Sequence, residues 1–359
     1  MKRSPAAPTA SKLAAPKLAT ATLLLAALTG CSTGSTSATD TGAEPTATSS
    51  VDAGAFPVTI EHALGSTTIE EEPTRVVAVG YAEADYPLSL GVVPVGADKI
   101  EYAGNENFSS DWFDEALAEI DGAEQPTRFS TADGVPVDEI VKLQPDLVTA
   151  TQSGMTQDEY DKLTEAGIPV VAYPEAPYNT TWQESLEMVG QALGRTELAA
   201  EVKAETEQVI ADTAAEFPQL EGKTFTYAGP NADPSSFYVY TTMDNRPRLL
   251  VELGMVNSPF VEERSEPGQF LFNVSAERSA QLDADVFLTY ATSEANVKEL
   301  ADNPLVNQIP AVADNRWYAQ VDPIESIGLS APSPLSLPVA MELFIPKVAA
   351  AVDGNGSTP

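Results

Sequence analysis

Tyrosine and arginine side chains are the residues whose placement in this sequence points to chemistry. The only histidine is His62, in a predicted strand or its turn, and no G-x-S-x-G elbow, phosphate-binding loop or G-x-G fingerprint accompanies it. One histidine cannot supply the usual ligands of a zinc or manganese site. We therefore predict a protein that is not an enzyme and has no resident metal or cofactor. An envelope hydrolase, or direct binding of ferric iron by Tyr238 and Tyr240 on one strand face, stays as an alternative.

The candidate binding residues follow or flank predicted strands. In parallel α/β sheets, ligands lie outside the carboxyl ends of the strands. Tyr81, Gln152 and Tyr290 come close after apolar strand segments. Packing in the core is the alternative for the aromatic residues, and pairing with surface acids for the arginines. The remaining candidates lie in adjoining irregular or edge segments: Trp112, Arg128, Tyr240, Arg246 and Arg248.

A long helix separates two sets of elements that would position these residues. Residues 197–217 have a helical pattern with one narrow apolar stripe, and Pro218 prevents its continuation. A helix of that length spans about 30 Å. Strand and helix patterns follow in the same order on both sides. The sequence therefore predicts an α/β fold of two Rossmann-like lobes, joined by one long rigid α-helix, with a ligand cleft between the lobes.

The predicted organisation of the folded part has four segments. They are an N-terminal α/β lobe at 56–195, a linker helix at 196–218, a C-terminal α/β lobe at 219–334 and a final helix at 335–352. Within the first lobe, Thr181 and Glu184 have the spacing of a capping box, which predicts a helix start.

The N-terminus has the pattern of a lipoprotein signal peptide, residues 1–30. Lys2 and Arg3 begin a basic region, and the apolar run 18–28 is too short to span a bilayer. The run ends in LTGC, which resembles the bacterial lipobox, so we expect acylation of Cys31, the only cysteine. Residues 31–55 would be a disordered tether. This predicts lipid anchoring on the extracytoplasmic face of the cell membrane; a plain secretory signal is the alternative.

The charge of the chain is strongly acidic. It has 19 basic and 53 acidic residues, a formal net charge of −34. Such a balance argues against nucleic acid as a partner and against a face lying on anionic lipid. Self-repulsion of the surface favours a monomer.

Several sequence pieces together resemble one family, the substrate-binding lipoproteins of iron–siderophore ABC importers, particularly the actinobacterial type. The resemblance covers nearly all of residues 56–347 and rests on the order of these pieces. In chain order they are FPVTIEHALG, PTRVVAVG, LSLGVVPVG, LQPDLV, SGMTQDEYDKL, LDADVFL and SPLSLP.

The resemblance implies a ferric siderophore as ligand and an ABC permease as partner. A siderophore fills the coordination sphere of iron, so the protein would recognise the outside of the complex. Aromatic faces would stack on it, and arginines would pair with its exposed oxygens. Haem or a cobalamin is the alternative ligand within the same fold, and the class of siderophore stays open.

The resemblance also implies two permease-docking sites, one on each lobe. The corresponding carboxylates are Asp138 or Glu139, at the start of the helix before PDLV, and Glu277, at the start of the helix before ADVF. A carboxylate in a first helical turn also suits the helix dipole, which is the alternative explanation.

Overall fold

The structure, a computed structural model, describes residues 51–231 and 235–357. The N-terminal lobe begins with an antiparallel hairpin of β1 (Val58–His62) and β2 (Gly65–Ile69). The main sheet of this lobe consists of short, largely buried strands: β3 (Val76–Ala78), β4 (Gly96–Asp98), β5 (Thr127–Phe129), β6 (Leu147–Ala150) and β7 (Val170–Ala172). They pair in the order β5-β4-β3-β6-β7, and every pairing is parallel.

Helices connect these strands, as a parallel sheet requires. They are α1 (Asp85–Ser89), α2 (Asp111–Ala118), α3 (Val137–Lys142), α4 (Gln157–Glu165) and α5 (Trp182–Ala192). The capping box predicted at the start of α5 is present, because the Thr181 side chain accepts from the Glu184 N–H and the Glu184 carboxylate accepts from Thr181 in return.

The linker helix is α6 (Thr196–Glu216), 21 residues long, followed by a 3₁₀ helix at Pro218–Leu220. It corresponds to the segment predicted at 196–218. α6 packs on α5, and Gly190 permits the close approach: a Cβ at that position would lie 2.5 Å from the Cβ of Ala199. The linker is therefore fixed along its side to the lobe that precedes it.

The C-terminal lobe contains a six-stranded sheet of mixed direction. Its strands are β8 (Thr224–Pro230), β9 (Ser236–Tyr240), β10 (Val256–Asn257), β11 (Leu271–Ser275), β12 (Val286–Tyr290) and β13 (Trp317–Gln320). The path is β11-β9-β8-β12-β13, with β10 also on β8. β8, β10, β12 and β13 pair in parallel, whereas β9 pairs antiparallel with both β8 and β11. This lobe therefore departs from a purely parallel Rossmann-like sheet.

The helices of this lobe are mostly short. They are α7 (Asn245–Glu252), α8 (Pro259–Glu262), α9 (Glu294–Asp302), α10 (Pro310–Ala313), α11 (Pro323–Ser330) and α12 (Ser336–Val352), with 3₁₀ helices at Ala276–Leu282 and Val306–Gln308. α12, the final helix expected at 335–352, packs on both α11 and α6. The linker is thus held from the C-terminal side as well.

The start of the described chain corrects one boundary. The predicted tether extended to residue 55, but the Asp52 N–H donates to Gly194 O at 2.8 Å, and the Asp52 carboxylate accepts from the Glu197 N–H at 3.1 Å. Asp52 binds there because α6 has no side-chain cap of its own. The signal peptide, Cys31 and the rest of the tether up to residue 50 lie outside the described residues. Within them, no helix combines the length and apolarity needed to cross a bilayer.

Candidate ligand-binding cleft

Three adjoining cavities form one cleft between the lobes, which we call the interlobe cleft. Their volumes are about 410, 500 and 510 Å³. Tyr81 and Tyr178 line both the first and the second cavity, while Tyr102, Tyr240 and Arg246 line both the first and the third. Because the cavities share walls, a ligand in the cleft would contact both lobes.

Some of the predicted binding residues lie together in this cleft. Tyr81, Gln152 and Tyr290 are at or just beyond the carboxyl ends of β3, β6 and β12, which are central or next to central in the two sheets. The residues from the sequence prediction that line the cleft are Tyr81, Gln152, Tyr240, Arg246 and Tyr290.

The loop that carries Gln152 is fixed by hydrogen bonds to a buried carboxylate. Glu83 accepts from the backbone N–H groups of Thr151 and Gln152 at 3.1 and 3.0 Å, and also from the Thr151 hydroxyl. Burial raises the pKa of Glu83 to about 7, although these hydrogen bonds oppose the shift. Gly80 has a positive φ of 130°, and a Cβ there would lie 2.7 Å from Gln152 O. The two loops can therefore approach only with glycine at this position.

Arg246 is fixed in the cleft by contacts on two sides. It stands at the start of α7, where Asp244 is the N-cap, and its Nη1 donates to the two Asp244 carboxylate oxygens at 2.8 and 2.7 Å. The guanidinium carbon lies 4.1 Å from the centre of the Tyr240 ring, a cation–π contact. Burial disfavours the charged form, but Asp244 together with the surrounding tyrosines outweighs it, and the pKa of Arg246 is raised. The group therefore stays a cation with a set orientation.

The C-terminal wall is a cluster of tyrosines. The ring centres of Tyr238 and Tyr240 are 5.4 Å apart, and those of Tyr240 and Tyr290 are 6.4 Å apart. Burial raises the pKa of Tyr238 to about 12 and also raises that of Tyr240. Burial outweighs the opposing effect of the Arg246 cation, so the phenols of Tyr238 and Tyr240 are neutral at physiological pH and present flat aromatic faces with hydroxyl donors.

Four buried polar atoms of the lining residues have no hydrogen-bond partner among the residues that the structure describes. They are Gln152 Oε1, Arg246 Nε, Tyr290 Oη and Gln320 Nε2. Buried polar groups are nearly always paired, and leaving one unpaired is unfavourable by about 1–3 kcal/mol. Such groups fit a site that is completed by a bound molecule or by water.

Two predicted residues lie outside the cleft. Trp112 packs in the core of the N-terminal lobe, and its indole N–H donates to the buried Asp85 carboxylate at 2.9 Å. Arg128 lies across the ring of Phe113 and donates to Asp98 O and Ser109 Oγ. Both side chains have structural partners within one lobe, which corrects their prediction as cleft residues.

Arg248 also lies outside the cleft. It lines a separate cavity of about 1000 Å³, which we call the lateral groove, and its Nη1 donates across the lobes to Asn179 O at 2.6 Å. Within the described part of the chain, no aromatic residue lines this groove. Its acidic residues are Glu175, Glu184, Glu207, Glu252 and Glu262. The lateral groove is larger than any one of the three cavities of the interlobe cleft, but it has neither the aromatic walls nor the stacked cation of that cleft.

Some lining residues were not among the predicted ones. Tyr102 and Tyr178, 62% and 56% exposed, lie at the mouth in loops that follow β4 and β7. The strand-end rule that found Tyr81 would have found them if longer loops had been included. The other unpredicted lining residues of most interest are Phe270, Gln320 and Ser326, and Tyr238, named only in the alternative of direct iron binding, also lines the cleft.

The acids predicted to dock the permease are exposed. Asp138 and Glu139 are in the first turn of α3, which precedes β6. Glu277 is at the start of a 3₁₀ helix before β12, so it does not occupy an α-helical first turn. β6 and β12 hold matching places beside the central strands β3 and β8.

His62 belongs to the core of the N-terminal lobe. Its Nε2 lies 3.1 Å from Thr67 Oγ1, its ring contacts that of Tyr160, and burial lowers its pKa. His62 is not among the residues that line the cleft. In the described part of the chain, no group of three or more histidine, cysteine, aspartate or glutamate side chains is placed to hold a metal ion.

Comparison with known proteins gives one family match over most of the chain. Residues 76–320 match the family model described as periplasmic binding protein. Among curated proteins of Bacillus subtilis, the Fe(3+)-citrate-binding protein YfmC is 25% identical over 71% of this chain and 75% of its own length. The probable siderophore-binding lipoprotein YfiY is 26% identical, over 67% and 71% respectively.

Solved structures show the same architecture. PiaA of Streptococcus pneumoniae in complex with ferrichrome is 29% identical, with a TM-score of 0.76 over 83% of this chain and 99% of PiaA. A periplasmic solute binding protein of Mycobacterium smegmatis is also 29% identical, with a TM-score of 0.69 over 82% and 98%.

Proposed function

This chain belongs to the periplasmic binding protein family, and on that premise we propose that it captures a ferric siderophore outside the cytoplasm and delivers it to an ABC permease. The observation that carries the proposal is the interlobe cleft, walled by tyrosines and holding one oriented arginine. The names of the relatives YfmC and YfiY, and the ferrichrome complex of PiaA, support it.

Recognition would act on the outside of the iron complex. Tyr238, Tyr240 and Tyr290 offer faces against which the complex packs, and Arg246 Nε is available to its oxygens. Tyr81 and Gln152 would complete the contact from the other lobe. The cycle would be binding, docking and release, with no bond made or broken in the ligand.

Delivery would use exposed acids on both lobes. Asp138 or Glu139 on one lobe and Glu277 on the other would pair with arginines of the permease. Their positions before the matching strands β6 and β12 support this, and no ion pair of the described residues engages them. Acylated Cys31 would keep the protein at the membrane, as the lipoprotein name of YfiY supports.

Fluorescence titration tests capture. We expect quenching of the intrinsic emission by iron-loaded siderophores at low concentration, and much weaker quenching by the iron-free forms. Haem is the competing ligand. A haem titration that gives a Soret band, without saturable binding of any ferric siderophore, would overturn the proposal.

Uptake of radiolabelled iron tests delivery. Glu277→Lys should abolish uptake while ligand affinity stays near that of the wild type, and the double change Asp138→Lys with Glu139→Lys should do the same. Glu216→Lys, at an exposed position on the linker helix, is the matched control and should transport normally. Normal uptake in both docking variants would remove these acids from the mechanism.

A further inference from the structure

We propose that the ligand is a ferric trihydroxamate of zero or positive net charge, rather than ferric citrate or a ferric tricatecholate. This inference rests on the proposed function and adds to it the chemical class of the siderophore. Its basis is the balance of charge and the set of unpaired polar atoms in the interlobe cleft.

The lining of the cleft is acidic. Asp98 and Glu159 face the second cavity, Asp244 the first and Asp322 the third. Among the described residues, Arg246 is the only lysine or arginine that lines the cleft, and its guanidinium is already paired with Asp244.

The neighbouring charges do not reverse this balance. Arg128 donates to Asp98 O and Ser109 Oγ and does not line the cleft, while the Lys99 ammonium lies over the ring of Phe108. Burial opposes ionisation of Glu159, but hydrogen bonds from Thr156 and Val135 outweigh it and lower its pKa. Burial raises the pKa of Asp98, with hydrogen bonds from Thr131 opposing the shift. A ligand therefore meets a surface with excess negative charge.

The classes of siderophore differ in the net charge of their ferric complexes. A ferric tricatecholate and ferric citrate are multiply charged anions. In a ferric trihydroxamate the hydroxamate anions balance the charge of the iron, and a pendant amine makes the complex a cation. Because charges in a partly desolvated cleft interact more strongly than in water, an acid-lined cleft disfavours the anions.

The unpaired atoms fit the same class. Arg246 Nε, Tyr290 Oη and Gln320 Nε2 are donors that can meet the oxygens of a neutral complex. Gln152 Oε1 is an acceptor, which can meet an N–H of the ligand, such as an amide or an ammonium group. Phe270, Ile327 and the tyrosine faces suit the methylene chains between hydroxamate groups.

Titration with four probes tests the class: ferrichrome, ferrioxamine B, ferric citrate and ferric enterobactin. We expect both trihydroxamates to bind at least about a hundredfold more tightly than the two anionic complexes. If ferric citrate or ferric enterobactin binds equally well or more tightly, the assignment of the ligand to the trihydroxamates is wrong, whereas the proposed function is unaffected. Binding of none of the four, together with a haem Soret band, overturns both.

A charge variant tests the electrostatic basis. Asp322→Asn removes one negative charge, and an asparagine oxygen can still accept from the Ile324 N–H as Asp322 does at 2.9 Å. It should weaken the cationic ferrioxamine B about three- to tenfold and leave neutral ferrichrome within about twofold. Glu201→Gln, an equal charge change at an exposed site on the linker helix, should alter neither. Equal effects of Asp322→Asn on the two probes would overturn the charge argument.

Discussion

Arg246 and Arg248 lie two residues apart on one helix and face two different cavities. Arg246 is in the interlobe cleft, stacked on Tyr240 and paired with Asp244. Arg248 is in the lateral groove and connects the lobes through Asn179 O. The groove has about 1000 Å³ against about 410–510 Å³ for each cavity of the cleft. Side-chain chemistry, rather than volume, therefore distinguishes the candidate site.

Helix geometry explains why neighbours in sequence diverge. Residues two apart on an α-helix point about 200° apart around its axis. The buried Pro247 between them lies in the first turn of α7. Proline is tolerated there because the backbone N–H groups of a first turn make no intrahelical hydrogen bond. One short helix thus presents one arginine to the interlobe cleft and the other to the opposite lobe.

The largest expected difference is between substitutions of these two arginines. Arg246→Gln should weaken ligand binding about ten- to hundredfold, because it removes a charge-assisted contact of about 1.5–3 kcal/mol. Arg248→Gln should leave affinity within about threefold. Titration of both variants with one ferric siderophore measures the loss of affinity that each substitution causes. A larger loss in Arg248→Gln would transfer the site to the lateral groove.

A second difference concerns the carboxylates behind the two cavities. The pKa of Glu83, under the cleft, is raised to about 7. The protonated carboxyl therefore contributes its full stabilisation of the fold below about pH 4.5, and this stabilisation is lost as the pH rises through about 7. The loss is about 2–3 kcal/mol. Burial also raises the pKa of Glu252, which lines the lateral groove, but this side chain is less buried than that of Glu83.

Urea unfolding at pH 5 and pH 7.5 measures this effect. Glu83→Gln should flatten the dependence of the unfolding free energy on pH, compared with the wild type, by about 2–3 kcal/mol. Glu252→Gln should change it much less. A pH dependence unaltered by Glu83→Gln would mean that Glu83 ionises normally in the folded protein.

The smallest expected effect separates a cleft tyrosine from a core tyrosine. Tyr290→Phe removes an unpaired hydroxyl and should weaken binding about three- to tenfold, the effect of one neutral hydrogen bond. Tyr173→Phe removes a hydroxyl that donates to Met155 O at 3.0 Å, so it should lower stability and leave affinity unchanged. Unchanged affinity in Tyr290→Phe would place the ligand away from the β12 end of the cleft.

Sequence patterns were sufficient where a local rule determines the structure. Pro218 and the helical pattern located the linker helix, and the strand-end rule brought Tyr81, Gln152 and Tyr290 to one cleft. Trp112, assigned to an adjoining irregular segment, was misplaced because its partner Asp85 comes from another element and only the tertiary fold brings the two together. Arg248 was misplaced because it was assigned to the same site as Arg246, although residues two apart on a helix point in nearly opposite directions.

The packing of the linker helix has an entropic consequence. α6 is held by α5 on one side and α12 on the other, and hydrogen bonds from Ser333 to Asp85 and from Tyr86 to Pro332 O join the lobes directly. Walls already in place lose little conformational freedom when a ligand enters, so little ordering entropy opposes binding. Under the proposed function, affinity gained in this way would lengthen the lifetime of the loaded state, because differences in affinity are expressed mainly in the off-rate. Release would then depend on docking to the membrane partner.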